Sequence, residues 1–91
     1  MPPDDRDAEP VRDNTASLSF EYGDEATARL VERSVRVEVG EIDDARSRAT
    51  VSRDGSVVTV DVAAADLVAL RAGVNTWTRL VAVAEDVGAL A

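Results

Sequence analysis

Asp54-Gly55 stands between two runs, 46–53 (RSRATVSR) and 56–63 (SVVTVDVA), that each alternate from residue to residue. An Asp-Gly pair flanked by alternating segments is a strong short-range signal for a β-hairpin. The second and third strands of the chain are therefore expected to pair antiparallel, with Val58, Val60 and Val62 on one face. Residues 16–22 form a further alternating run, in which Leu18, Phe20 and Tyr22 interleave with Ser17, Ser19 and Glu21. That pattern predicts a first strand with one buried face, anchored by two of the three aromatic residues of the chain.

Helical periodicity fills the remaining stretches. Gly23-Asp24 turns the chain, and Asp24 is a good N-cap for a helix over 25–38. Ala26, Leu30, Val31, Ser34 and Val35 share its inner side. Glu25–Arg29 and Glu32–Arg36 have the favourable i,i+4 order on the other, a solvated face. Val35, Val37 and Val39 also alternate like a strand, so the end of this helix is less defined until Gly40 stops it. A short acidic loop spans 41–45. The last element is a long helix over 66–87. Leu67, Leu70, Val74, Trp77, Val81 and Ala84 follow steps of three and four, and Ala69, Gly73, Leu80 and Val87 widen the apolar sector to roughly 160–200°. A helix that only covers a sheet needs about 100°. At 1.5 Å per residue it runs about 33 Å, against about 23 Å for a seven-residue strand. Such a helix leaves apolar surface for a partner. Gly73 in mid-helix suggests a close helix–helix approach, with sequence drift as the alternative, and Trp77 is placed at the interface edge of the wide sector.

The element order is β-α-β-β-α. The expected fold is α+β: a three-stranded antiparallel or mixed sheet with two helices on one face. Ser17, Ser19, Glu21, Arg48, Thr50, Ser52, Thr59 and Asp61 fall on the opposite, polar face. Three strands leave edges that invite pairing, and a two-fold dimer continuing the sheet would resolve them. Residues 1–15 contain all three prolines and few apolar groups, the composition of a disordered acidic tail, so the single folded domain is expected over 16–91.

Composition narrows the chemistry. A 91-residue chain holds one domain, and its small core makes added stability from partners attractive. It contains no cysteine and no histidine. Thiolate nucleophiles, zinc–thiolate sites and the usual neutral-pH acid/base are excluded together. The 18 acidic residues lack the spacing of a calcium loop or catalytic motif. No catalytic residue, metal ligand or cofactor is expected. All ten basic residues are arginine, and the net charge is −8. This resembles proteins of salt-in halophilic archaea, where a Debye length of about 3 Å at molar salt screens self-repulsion; an acidic protein of a GC-rich organism is the plainer alternative. No run approaches a membrane span and no apolar signal core opens the chain, so a cytoplasmic location is expected.

Taken in order, these segments resemble a known family. SLSFEYGDEATARLVERSVRVEV resembles the opening of the Pcc family, the small subunit of the KEOPS complex, related to the cancer/testis antigen family. Arg46-Ser47-Arg48, Asp66-Leu67 with Ala69-Leu70-Arg71-Ala72, and Asn75-Thr76 followed by Arg79-Leu80 resemble its later signatures, so the likeness covers about residues 16–89. The resemblance implies a non-catalytic homodimer that docks on the threonylcarbamoyl transferase. Through it the chain would meet the kinase and tRNA-tail-binding subunits, and support threonylcarbamoyl-adenosine modification of tRNA. It further implies that Leu30, Val31, Val35, Leu70, Val74, Trp77 and Val81 divide between core and docking or dimer surface. Arg46, Arg48 and Arg53 become candidate tRNA contacts, with solvated or salt-bridged arginine as the plain reading. Arg71, Asn75 and Arg79 become candidates for an interface rim, or else solubilise the helix. A paralogous subunit that heterodimerises with the main one, a free-standing RNA-binding module and a small carboxylate enzyme are the competing readings.

Overall fold

The computed structural model describes residues 13–41 and 46–89. Three strands and two helices follow in the expected order: β1 (Asn14–Glu21), α1 (Glu25–Arg36), β2 (Ser47–Asp54), β3 (Val57–Ala64) and α2 (Leu67–Ala89). Strand β1 begins two residues before the expected start, taking in Asn14 and Thr15 from the stretch assigned to the tail. Residues 1–12 of that tail, and residues 42–45 of the acidic loop, lie outside the described residues.

The sheet is antiparallel throughout, in the order β1-β3-β2. The hairpin closes on Asp54 opposite Val57, so its loop is Gly55-Ser56 and not Asp54-Gly55. Gly55 is at φ +60° and, among the described residues, only glycines have positive φ, which matches a two-residue turn with glycine first. The expected strand ends would have set Arg53 opposite Ser56. The observed register differs from that by two residues, an even number, so every side chain keeps its predicted face.

Both helices pack on the face carrying Val58, Val60 and Val62, which are buried with Ala49, Val51 and Ala64. Helix α1 starts where expected: Asp24 has extended backbone geometry, and its carboxylate accepts the Thr27 N–H at 2.6 Å. It buries Ala28, Val31 and Val35. Ala26, assigned to the inner side, is exposed, because the core-facing line passes through Ala28 instead. The helix ends at Arg36, two residues early. Glu38 and Val39 donate to the carbonyls of Val35 and Arg36 in tightening turns, before Gly40 at φ +88°. The strand-like Val35-Val37-Val39 alternation is thus absorbed in turns, with Val39 packed against the core and Val37 exposed.

Asp66 caps α2 rather than starting it, accepting the Ala69 N–H at 2.7 Å. Trp77, Val81 and Ala84 are buried. The expectation for Trp77 is corrected: at 2 % exposure it is a core residue, not an interface edge. At about 100° per residue it lies midway along the arc from Gly73 to Val74 that faces the sheet. Gly73 marks a close approach of helix to sheet, not helix to helix. A Cβ there would come within 2.9 Å of Val62 Cγ1.

Candidate partner interface

Two kinds of surface remain once this core is assembled. The helix layer carries apolar side chains that its own sheet cannot cover. Leu30 of α1 reaches Gly88 of α2, and beside this crossing Ser34, Val35, Glu38, Leu80, Val83, Ala84 and Val87 line a shallow groove of about 130 Å³. Val83 and Val87 are 56 % and 57 % exposed. At the other end of α2, Leu67 and Val68 are 70 % and 75 % exposed. The predicted partner residues divide accordingly. Val31, Val35, Trp77 and Val81 are core; Leu70 and Val74 are half-buried; Leu30 is exposed beside Gly88. Val83 and Val68 escaped the sequence reading because they lie outside the heptad line, and single exposed valines leave no periodic trace.

Arg71, Asn75 and Arg79 are all exposed along the solvent side of α2, as their i, i+4, i+8 spacing requires. Neither arginine has an ion-pair partner among the described residues. From Leu67 to Ala84 the helix contains no acidic residue, so these arginines form a cationic strip on a chain of net charge −8.

The three arginines proposed for tRNA are not brought together. Arg46 ion-pairs with Asp66 at the start of α2. Arg48 lies on the open sheet face, in a depression of about 390 Å³ lined also by Thr15, Ser17, Thr50 and Asp61. Arg53 lies at the far end of β2, on the helix side. Its Nε meets Glu32 at 2.9 Å, its Nη1 meets Glu25 at 3.1 Å, and the same Nη1 donates to the Gly55 carbonyl at 3.0 Å. Glu32 also pairs with Arg36, whose guanidinium donates to the Val51 carbonyl at 3.0 Å. This network ties α1 to the outer edge of β2. A run of i,i+4 pairs in the sequence gives only its helical half; the strand half depends on the hairpin register.

The ionisation of these groups matches structural ion pairs. Hydrogen bonds from Arg53 and then Arg36 hold Glu32 below the usual carboxylate range. The Thr27 N–H does the same for Asp24, and the Ala69 N–H followed by Arg46 for Asp66. Each is kept charged, the opposite of a carboxyl held protonated to donate a proton. Tyr22 is pushed upward by burial and by its 2.8 Å hydrogen bond to Glu85, so the phenol stays neutral and pins the end of β1 to α2. No group of three or more acidic residues that could hold a metal occurs among the described residues, and no described helix is long and apolar enough to cross a membrane.

Comparison with known proteins places this architecture. A solved chain from a study described as the crystal structure of the binary complex Gon7-Pcc1 superposes with a TM-score of 0.72. The match covers 89 % of this chain and 100 % of the other at 19 % identity, which establishes a shared fold. No curated protein matches by sequence. The family model described as transcription factor Pcc1 matches residues 15–88, from the start of β1 to the last turn of α2. The chain belongs to the Pcc1 family.

Proposed function

We propose that this chain is a non-catalytic, dimerising subunit of the KEOPS complex, which docks on the threonylcarbamoyl transferase and supports tRNA threonylcarbamoyl-adenosine modification. The observation that carries the reading is the Pcc1 family match across the whole described fold. The helix layer supplies a surface suited to docking. Its open groove between α1 and α2 is mostly apolar, lined by Val35, Leu80, Val83, Ala84 and Val87. A transferase helix laid there would bury the valines that the sheet leaves in water, and Arg71, Asn75 and Arg79 would border it. Arg46 and Arg48 at one end of β2 and Arg53 at the other are the tRNA-contact candidates of this reading, with Arg46 paired to Asp66 and Arg53 to Glu32 and Glu25.

The test is co-elution of the chain with the transferase subunit of the same organism in molar salt, followed by light scattering. A stable complex is expected. Val83→Glu, which puts a charge in the groove without entering the core, is expected to weaken docking at least about 100-fold. A chain that never co-elutes with the transferase, or a Val83→Glu variant that binds as tightly as the parent, counts against the docking reading.

A further inference from the structure

The open face of the sheet carries two opposite charges that the fold does not use together. Asp61 stands on the central strand, with Ser17 directly opposite on β1 and Thr50 directly opposite on β2. Aspartate is depleted in strands, and its place here gains it no counter-charge: among the described residues Asp61 enters no ion pair. Two residues further along β3, Ala63 stands between Thr15 and Arg48. Its single methyl keeps the floor low, and the taller side chains around it shape the depression of about 390 Å³. Small-molecule sites occupy about 300–1,000 Å³. Arg48 and Asp61 both line this depression, and no ion pair joins the two.

We infer that this depression binds a free α-amino acid with a small or polar side chain. Arg48 takes the α-carboxylate and Asp61 the α-ammonium. The two residues are diagonal neighbours on adjacent strands, with Cα atoms about 7–8 Å apart. A ligand that carries both charges on one carbon bridges them with a charge-assisted contact at each end. Arg48 has five N–H donors, enough to hold a carboxylate beside any other bond it makes. A primary ammonium has three N–H donors, matched by the Asp61 carboxylate and the hydroxyls of Ser17 and Thr50 on either side of it. A quaternary ammonium has no N–H and is held by aromatic faces, and none of the lining residues is aromatic. A phosphate would meet the negative charge of Asp61. The ligand's side chain rests toward Thr15 and Ala63, where the lining offers a hydroxyl and one methyl but no wall for a large apolar group. The site lies on the opposite side of the sheet from the helix-layer groove, so it is independent of docking there.

The test is a nuclear magnetic resonance titration of the isotope-labelled full chain with L-serine, at the lowest salt that keeps it folded. Acetate, methylammonium and inorganic phosphate serve as controls. Saturable shifts of the Thr15, Ser17, Thr50, Asp61 and Ala63 amides are expected, with a Kd of about 1–10 mM. Acetate and methylammonium each carry only one of the two charges, and are expected to bind at least about 10-fold more weakly. Asp61→Asn and Arg48→Gln are each expected to weaken L-serine about 10-fold, with unchanged far-ultraviolet dichroism because both side chains are exposed. Amides that stay unmoved at about 100 mM L-serine, or that respond equally to acetate, overturn the inference. Shifts with inorganic phosphate and none with L-serine overturn it too, and make Arg48 a phosphate contact instead. Should a variant lose its dichroism, the control series on the parent chain decides, since it needs no substitution.

Discussion

Strands β1 and β2 are the same length, pair with the same central strand and alternate on the same period, yet one is sealed and the other is not. Over β2 lies α1, whose Arg36 occupies the Val51 carbonyl and whose Glu32 holds Arg53. Over β1 there is only the flank of α2, and a single tyrosine–glutamate hydrogen bond closes its end. The side chains on the sealed strand are small, Ala49 and Val51; those on the open strand are Leu18 and Phe20. A strand that carries larger apolar groups and receives less cover leaves apolar surface in water.

The sharpest way to break that contrast is to truncate one residue on each side. Val31 of α1 is fully buried, so Val31→Ala is expected to cost about 2 kcal/mol in urea denaturation, for two lost methyl groups and the cavity left behind. Leu18→Ala removes more carbon but from a half-buried site, and is expected to cost only about 1 kcal/mol in the monomer. Equal costs at low protein concentration would mean that β1 is already covered in the single chain. The loss at Leu18 should grow with protein concentration if the parent dimerises through it, whereas the loss at Val31 should grow less.

The next effect concerns why α2 fails to spread over β1. Gly73 lets it press directly on Val62 of the central strand. Gly73→Ala would gain about 1 kcal/mol of helix propensity on an exposed helix. Here the added methyl meets a stiff, enclosed valine at 2.9 Å, and overpacking of this kind costs about 1–3 kcal/mol. The net expectation is destabilisation of about 1 kcal/mol by thermal unfolding. A variant more stable than the parent would show that α2 can lift from β3 without loss.

Smaller still is the seal on β2. Arg36→Ala uncovers the Val51 carbonyl and one oxygen of Glu32, with an expected loss of about 0.5–1 kcal/mol. Its clearer sign would be faster hydrogen exchange in β2 than in β1, reversing the order expected for the parent monomer.

Much of the fold that frames this contrast is readable in the sequence. The alternation of Val58, Val60 and Val62 fixes which face is inside, and that face survives a two-residue shift in hairpin register because strand periodicity is two. Asp24 marks a helix start because its capping bond reaches only three residues. What could not be read lies in distances across the fold. Trp77 looked like an interface residue because a wide apolar sector has no visible centre until the sheet supplies one. Gly73 pointed to a close approach, but not to which element approaches. Arg53 looked available for phosphate because its partners, Glu25 and Glu32, are 28 and 21 residues away. The inequality of the two edges is a property of where α1 and α2 settle, and no local pattern encodes it.

The last expectation separates the flanks by pH. Glu32 is held below the usual carboxylate range by Arg53 and then Arg36, so its proton binds more weakly in the fold than in the unfolded chain. The unfolded state therefore takes up the proton first as acid is added. The stability from Glu32 is present above its unfolded value of about 4.3 and is lost as pH falls through the lower, folded value. Asp24 and Asp66 are lowered as well and act in the same window, so the parent should lose stability on acidification through all three. Glu32→Gln removes one of them. Its urea midpoint is expected to lie below that of the parent at pH 7 and to converge with it toward pH 3, with the acid limb shallower and not abolished. Because Glu32 joins only α1 and β2, exchange in the parent should rise on acidification in β2 before the Tyr22 end of β1. An acid limb unchanged by Glu32→Gln would mean that apolar cover alone, and not the ion network, seals the β2 edge.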